Sequence, residues 1–164
     1  MSSLLERLRR YSDNRGMMAN LRCILVESKK HRAWPVLNRI GVDIKRDVAA
    51  LIAGLYATHP EESLEGNFGT VCKAIEMRRG EKRSDDNKLT PTERRFQHLL
   101  AAEKGAELHD RVTRIVLMAK SQGVPVNYMQ LEKDLAYWNE RTKIEWASTF
   151  WTPGAEPVPE EEGV

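Results

Sequence analysis

Lysine and arginine residues occur in clusters along the chain, and clustered cations can bind the phosphate groups of nucleic acids. Several of them together give affinity without sequence preference, because each releases counterions that are condensed on the phosphate backbone. A continuous helix through Gly16 would place Arg15, Arg22 and Lys29 on one face, since they are spaced by about two helical turns. The other clusters are Lys30 with Arg32, Arg94 with Arg95, Arg111 with Arg114, and Arg141 with Lys143.

The same charge pattern has a plainer explanation that the sequence leaves open. Charged helix faces are usually solvated surface, and Glu103, Glu107 and Asp110 could form ion pairs with neighbouring cations. Aromatic residues near the C-terminus present a similar choice, because they could stack on bases or pack in a core. They are Tyr137, Trp138, Trp146, Phe150 and Trp151, and the helical spacing of Trp138 and Trp146 favours a core position or a subunit contact.

The sequence contains no arrangement of nucleophiles, acids or metal ligands that is typical of an enzyme. His31, His59, His98 and His109 are scattered, and none has a second histidine or cysteine three or four residues away. We therefore predict no catalytic residue, no metal site and no cofactor.

The composition predicts a globular protein of the cytoplasm. Hydrophobic residues make up 41% of the chain, and the net charge is only +2, so a nucleic-acid surface must arise from segregation of charge onto one face. Cys23 and Cys72 form no Cys-x-x-Cys pair, which is typical of free thiols in a reducing cytosol. No stretch approaches the about 20 apolar residues that a membrane span needs, so we expect no membrane contact.

Hydrophobic residues recur at helical spacing almost throughout, and no strand-like alternation runs longer than a few residues. The sequence therefore predicts an all-α fold, a helix bundle without a sheet. Gly16 is predicted to interrupt the first helical pattern, and a second helix is predicted from Met17 to about Lys30. A wide apolar stripe from Ile44 to Tyr56 predicts a further helix.

Polar segments divide this helical chain into two predicted lobes. Residues 1–80 form an N-terminal helical lobe, residues 81–89 a polar linker, residues 90–151 a C-terminal helical bundle, and residues 152–164 a disordered tail. The second lobe opens with a clear helix start, in which Thr90 is the cap, Pro91 is the first helical residue and Glu93 completes a capping box.

Residues 90–151 resemble the CasB small subunits of the type I-E CRISPR Cascade complex. The resemblance rests on the order and spacing of several short motifs, and it covers most of residues 15–151. These motifs are Glu93-Arg94-Arg95-Phe96 with Leu99-Leu100, then Arg111 and Arg114, then Leu131, Leu135 and Tyr137-Trp138, and finally Arg141 with Phe150-Trp151. Weaker matches in the first half are Arg22, residues 51–57 and residues 67–69. Tyr137 departs from the family pattern, because it replaces one residue of a frequent tryptophan pair.

The resemblance implies an all-helical, non-catalytic subunit that packs head to tail with a second copy of itself. Such subunits contact the guide RNA, the target DNA strand and the displaced non-target strand, and they assemble with the backbone and large subunits of Cascade. The nucleic-acid-binding residues implied by the match are Arg22, Arg94, Arg95, Arg111, Arg114 and Arg141, with Lys29, Lys73 and Lys143 as second choices. For Arg95, an ion pair with Glu93 or Glu103 is an equally open alternative.

Two rival functions fit the helical pattern as well. The turn at residues 123–125 between two predicted helices could belong to a helix-turn-helix regulator, which would bind one duplex sequence far better than others. The chain could also be a helical adaptor whose charged faces are plain solvent surface. Copurified guide RNA would distinguish a CasB-like subunit from either rival.

Overall fold

Helices account for nearly all the regular structure in the computed structural model, which describes residues 3–153. The α-helices are α1 (Leu4–Arg10), α2 (Arg15–Arg22), α3 (Trp34–Arg39), α4 (Asp47–Thr58), α5 (Phe68–Arg78), α6 (Pro91–Ala101), α7 (Ala106–Gln122), α8 (Tyr128–Ala136) and α9 (Glu140–Phe150). Two short 3-10 helices span Cys23–Leu25 and Lys30–Ala33. Within the described range the only β-type pairing is an isolated bridge between Glu62 and Val126, so the predicted all-α fold is confirmed.

Helix α6 begins where the sequence predicts it. The Thr90 side chain accepts a hydrogen bond from the Glu93 backbone N–H at 3.0 Å, and the Glu93 carboxylate accepts one from the Thr90 N–H at 2.9 Å. These two bonds complete a capping box, with Pro91 at the first helical position. They satisfy N–H groups that the first helical turn leaves without partners, and they fix the start of α6 in the chain.

The predictions for the first helices are partly wrong. Gly16 lies inside α2 rather than before it, because the Asn14 side chain accepts a hydrogen bond from the Met17 N–H and caps the helix, which begins two residues earlier than predicted. The predicted helix to about Lys30 ends at Arg22, since the chain turns there to pack Ile24 beside Gly54 of α4. Lys29 therefore lies outside α2, and the expected stack of three cations on one helical face does not form.

The apolar stripe of the first half is shorter than predicted. Helix α4 begins at Asp47, and Ile44 lies in the preceding loop with its side chain exposed. Every residue from Ala49 to Ala57 is buried, which makes α4 the most enclosed helix of the described chain. It packs against α2 on one side and against α8 on the other.

A single hydrophobic core joins helices from both sides of residues 81–89. Helix α5 packs against α6, α7 and α9, and the ring of Phe68 lies 5.1 Å from that of Trp146. Tyr56 of α4 meets Tyr128 of α8 edge to face at 5.9 Å. The two groups of helices thus share one core. The division of the chain into two lobes at residues 81–89 remains a proposal.

Helices α5 and α9 cross at very short range. A Cβ atom added to Gly69 would lie 2.2 Å from the carbonyl oxygen of Trp146, so only glycine allows the two backbones to approach this closely. One turn further along α5, Cys72 is fully buried, and its burial raises the pKa of the thiol. Cys23 is a free, half-buried thiol.

The segments without regular helix are short. Residues 81–90 form an irregular connection with a turn at residues 85–86, and residues 82–88 are exposed. The predicted disordered tail covers residues 152–164, and residues 154–164 of it lie outside the described part of the chain. Within residues 3–153, none of the helices has both the length and the apolar character needed to cross a lipid bilayer.

Candidate nucleic-acid interface

Helices α6 and α7 bring three of the predicted arginines onto neighbouring surfaces. The two helices pack against each other, and successive residues of a helix turn by about 100°. His109 and Thr113 lie on the flank of α7 that faces α4, where they line a cleft with Asp47. Helical periodicity places Arg111 and Arg114 about 60° apart on the outer surface of α7. Arg111 lies nearly opposite the cleft, whereas Arg114 lies beside Asp110, which also lines it. Arg95 is exposed on α6.

Helix α9 continues this surface on the other side of α6. Lys143 lines a groove with Gln97, Leu100 and Ala101 of α6, and the ring of Trp151 closes one end of it against Phe96. Arg94 lies about 100° around α6 from Arg95, on the side nearer the groove residues Gln97 and Ala101. We call the outer face formed by these five cations the basic face; its residues are Arg94, Arg95, Arg111, Arg114 and Lys143.

Most side chains of the basic face lack a carboxylate partner. Within residues 3–153 the only ion pair on this face joins Arg114 to Asp110 at 3.1 Å, and both side chains are well exposed. An exposed pair of this type contributes little stability and gives way readily to another anion. The alternative pairing of Arg95 with Glu93 or Glu103 is not found in the described structure, so its guanidinium remains available.

A partly buried network of acidic, basic and aromatic side chains holds the start of α6 in place. Arg83 donates to both carboxylate oxygens of Glu93, with the closest contact at 2.7 Å, and Trp151 Nε1 donates to the same carboxylate at 2.8 Å. Burial by itself would raise the pKa of Glu93, but hydrogen bonds from Arg83, the Thr90 backbone and Trp151 outweigh it and lower the pKa to about 2. Since Arg94 and Arg95 follow Glu93 directly, the network also fixes where their side chains leave the helix.

Lys73 belongs to this internal network rather than to the basic face. Its ammonium group lies 3.0 Å from Glu76 and 5.6 Å from the centre of the Phe150 ring. The second oxygen of Glu76 accepts a hydrogen bond from the Thr90 hydroxyl at 2.7 Å. Lys73 therefore neutralises a buried carboxylate between α5 and α6.

The two cations predicted in the first half lie apart from the basic face. Arg22 ends α2, and its Nε donates to the carbonyl oxygen of Ala57 at 2.9 Å near the end of α4. Lys29 lies in the loop between the two 3-10 helices and is exposed. Neither helix α2 nor this loop contacts α6, α7 or α9 extensively. The sequence therefore predicts one group of cations where the structure has at least two.

Arg141 faces a different cleft from Lys143, although both lie at the start of α9. Two residues along a helix correspond to about 200° of rotation, which puts the side chains on opposite flanks. Arg141 lines a cleft between α8 and α9 together with Lys133 and Tyr137. Lys133 is not among the site residues that the sequence predicts. The available signal was its position four residues before Tyr137, which is the residue that ends α8.

The aromatic residues divide as the helical spacing suggests. Trp146 is fully buried, with Nε1 donating to Asp134 at 2.7 Å, and Trp138 packs against it at 4.8 Å between ring centres. Phe150 is buried against Phe96. A core position for Trp138 and Trp146 is therefore confirmed, whereas Tyr137 is 75% exposed.

The histidines and acids of the described residues form no cluster of three or more that could hold a metal ion. His59 is buried, and its Nε2 lies 2.6 Å from the carbonyl oxygen of Val124. The Tyr128 hydroxyl donates to the His59 carbonyl oxygen at 2.6 Å, so this histidine ties the end of α4 to α8. Its role is structural.

The sequence profile of the CRISPR-associated protein Cse2 family matches residues 5–151. The chain belongs to the CRISPR-associated protein Cse2 family. This match spans all but the ends of the chain, and it includes both groups of helices and the whole basic face. Membership of the Cse2 family confirms the resemblance to CasB that the sequence motifs indicate.

Solved structures of Cse2 and CasB proteins share the fold. A Cse2-family protein from Thermus thermophilus superposes with a TM-score of 0.71 at 18% identity, over 90% of this chain and 95% of that one. A structure of CasB, also from Thermus thermophilus, gives a TM-score of 0.67 at 20% identity over the same shares of the two chains. CasB from M. ruber gives 0.64 at 25% identity, over 99% and 98%. No curated protein matches the chain in sequence.

Membership of the Cse2 family identifies the chain as a small subunit of a CRISPR Cascade complex, associated with other Cascade subunits. The family match and the basic face are separate observations. The first rests on the order of motifs along the chain, and the second rests on the packing of α6, α7 and α9.

Proposed function

We propose that this chain is a non-catalytic subunit of a type I-E Cascade complex that binds nucleic acid without sequence preference and stabilises the R-loop. The observation that carries the proposal is the basic face, where Arg94, Arg95, Arg111 and Lys143 have no carboxylate partner among the described residues. Folding usually pairs or disperses such charges, because like charges that are close together repel one another. A group of cations without carboxylate partners is suited to binding the phosphates of a nucleic acid.

In the proposed mechanism the chain stabilises the product of strand exchange and catalyses no reaction. An RNA–DNA heteroduplex is about as stable as the DNA duplex it replaces, so protein contacts to the backbone decide whether the R-loop stays open. Each phosphate contact releases a condensed counterion, and a few contacts are enough to shift a balanced exchange. The positions most suited to these contacts are Arg95, Arg111 and Arg114, because they lie on two helices that pack against each other.

The proposed partners are the guide RNA, the target and displaced DNA strands, the backbone and large subunits of Cascade, and a second copy of the chain in head-to-tail contact. We expect this assembly in the cytoplasm. Exposed apolar side chains of Val26, Trp34 and Ile44 support protein contacts elsewhere on the surface, since a group of such residues commonly marks an interface. Trp34 and Ile44 line the cleft between α4 and α7, and Val26 lies in the chain between Leu25 and Glu27, which also line it.

The proposal is tested by the double variant Arg111→Ala and Arg114→Ala. We expect weaker binding to duplex DNA, and a plot of log affinity against log salt that is shallower by about 0.9 for each phosphate that the variant no longer neutralises. The measurement is fluorescence anisotropy with labelled DNA at several salt concentrations, repeated in the assembled complex as the lifetime of the R-loop.

The matched control is the double variant Arg10→Ala and Lys45→Ala, which removes the same charge from exposed positions outside the basic face. Its affinity and salt dependence should stay close to those of the unmodified chain. If both double variants bind DNA alike, the basic face has no special role. If the purified complex contains neither guide RNA nor other Cascade subunits, the chain acts as an adaptor of another kind.

A further inference from the structure

The cleft between α8 and α9 lies outside the basic face and has the size and the chemical groups of a nucleotide site. Its volume is about 490 Å³, within the range of small-ligand sites. The loop that precedes α5 closes one side of it through Gly66 and Asn67. The cleft combines one exposed aromatic ring with two cations and several side-chain amides, a combination that the basic face does not have.

Tyr137 supplies the aromatic ring. Its side chain is 75% exposed, and the ring makes no stacking contact with another described ring. The backbone below it is nevertheless held firmly: the Tyr137 N–H donates to the Lys133 carbonyl oxygen at 3.1 Å, and the next residue, Trp138, packs against Trp146. A tyrosine side chain on a fixed backbone has only two rotatable bonds, so it loses little conformational entropy when a flat partner stacks on its ring.

Lys133 and Arg141 supply positive charge around this ring. Both line the cleft and are exposed, and neither forms an ion pair within residues 3–153. A base that stacks on Tyr137 carries a phosphate on each side, and two cations at the rim of the cleft match that arrangement. Stacking platforms combined with cations along the backbone are the usual components of single-strand binding sites.

The remaining side chains suit the edge of a base better than a phosphate. Asp134 is already occupied, because it accepts hydrogen bonds from Trp146 Nε1 at 2.7 Å and from Gln130 Nε2 at 2.9 Å. Glu145 and Asn139 also line the cleft. A carboxylate repels phosphate but can accept a hydrogen bond from the amino group of a base, so Glu145 favours a base in the cleft with its phosphates outside.

We propose that the cleft between α8 and α9 binds one nucleotide of single-stranded DNA, with its base stacked on Tyr137 and its flanking phosphates near Lys133 and Arg141. This inference rests on the proposed function, because the displaced strand of an R-loop is single-stranded DNA. It assigns the unpaired strand to this cleft and leaves backbone contacts of paired nucleic acid to the basic face. Duplex DNA is excluded from the cleft because its bases are already stacked and paired.

The test compares the affinity of the full-length chain for single-stranded and duplex DNA of about 20 nucleotides, the length of strand that an R-loop displaces. Tyr137→Ala should lower affinity for the single strand by roughly 5- to 150-fold, the range for loss of one stacked base, and leave duplex affinity unchanged. Tyr137→Phe keeps the ring and should bind within about twofold of the unmodified chain. Irradiation with an oligonucleotide that contains 5-iodouracil should cross-link at Tyr137.

The control Met129→Ala shortens an exposed side chain of α8 that does not line the cleft, and it should not affect either affinity. Equal single-strand binding by Tyr137→Ala and the unmodified chain, with weaker binding by the Arg111 and Arg114 double variant, would reject the cleft and retain the proposed function. Equal loss for single strand and duplex would also reject it, as would tighter binding of RNA than of DNA. Binding of neither nucleic acid by the unmodified chain would reject both proposals.

Discussion

Glu93 is the residue whose charge state affects both the fold and the position of the basic face. Its carboxylate is 3% exposed and receives hydrogen bonds from Arg83, Trp151 and the Thr90 backbone. Desolvation alone would make a buried carboxylate unfavourable, so these three donors must outweigh it. A change at Glu93 therefore affects the first turn of α6, from which Arg94 and Arg95 project.

Glu93→Gln should destabilise the chain by about 1–3 kcal/mol at pH 7, because the variant loses hydrogen bonds that are strengthened by charge. The lowered pKa of Glu93 stabilises the fold fully above pH 4.5, and this contribution is lost as the pH falls toward about 2. The variant should therefore lose less stability than the unmodified chain between pH 4.5 and 2. Urea unfolding followed by circular dichroism at pH 7, 5, 4 and 3 measures the difference.

The control for this experiment is Glu103→Gln, which changes an exposed carboxylate without a side-chain partner in the described structure. Its free energy of unfolding should equal that of the unmodified chain at every pH. A Glu93→Gln variant with unchanged stability at pH 7 would mean that the network contributes nothing net, as some buried ion pairs do.

At the residue scale, the sequence shows where cations are clustered but does not predict which partner each of them contacts. Clusters of arginine are evident in the sequence, yet Arg22 donates to a backbone carbonyl and Lys73 neutralises Glu76. Arg78, likewise, donates to the carbonyl oxygens of Gln122 and Gly123 at 2.7 Å each. Contacts between residues far apart in the chain decide these roles, and spacing along the sequence carries no information about them.

At the scale of elements, the crossing of α5 and α9 depends on one glycine. Gly69→Ala should destabilise the chain by about 1–3 kcal/mol, because the new Cβ would collide with the Trp146 backbone and force the two helices apart. Thermal and urea unfolding measure the loss. Since α9 carries Lys143 on one flank and Arg141 on the other, the shift should also weaken DNA binding.

Gly16→Ala is the matched control, because a Cβ at that position meets nothing closer than 3.7 Å and α2 would gain helix propensity. It should be neutral or stabilise the chain by up to about 1 kcal/mol. If Gly69→Ala were as well tolerated as Gly16→Ala, the close approach of the two backbones would be without energetic consequence.

The sequence predicts helix boundaries well where a capping residue marks them and poorly where packing sets them. Thr90 and Glu93 form their capping box as expected. The end of α2 has no such signal, because the chain turns there to place Ile24 against Gly54. Tertiary packing overrides the local pattern at that point, so periodicity alone extends the helix too far.

At the scale of the whole molecule, the shared core predicts that the two groups of helices depend on each other. Coexpression of the chain as two pieces, residues 1–85 and 86–164, should give a complex that copurifies and unfolds in one transition. The break falls at an exposed turn, whereas the contact of Phe68 with Trp146 joins the two pieces in the core. Calorimetry and size-exclusion chromatography test this expectation.

A break after Ala74, inside α5, serves as the control, and it should abolish assembly because it interrupts the helix that contacts α6, α7 and α9. Cooperative unfolding of each separate piece, without association, would instead indicate two independent lobes. The sequence identifies which helix faces are apolar, but it does not say which faces meet. For that reason the polar linker at residues 81–89 predicts a division of the chain, while the hydrophobic core includes helices from both sides of it.

The burial of Cys72 beside the crossing of α5 and α9 has a chemical consequence. A thiol reacts with oxidants and alkylating agents as its thiolate, and burial both raises the pKa of Cys72 and blocks access to it. Such reagents reach Cys23 in the folded chain, whereas modification of Cys72 requires the core to open. A molecule in which Cys72 is oxidised or alkylated must therefore have unfolded at least once, whereas modification of Cys23 alone does not indicate unfolding.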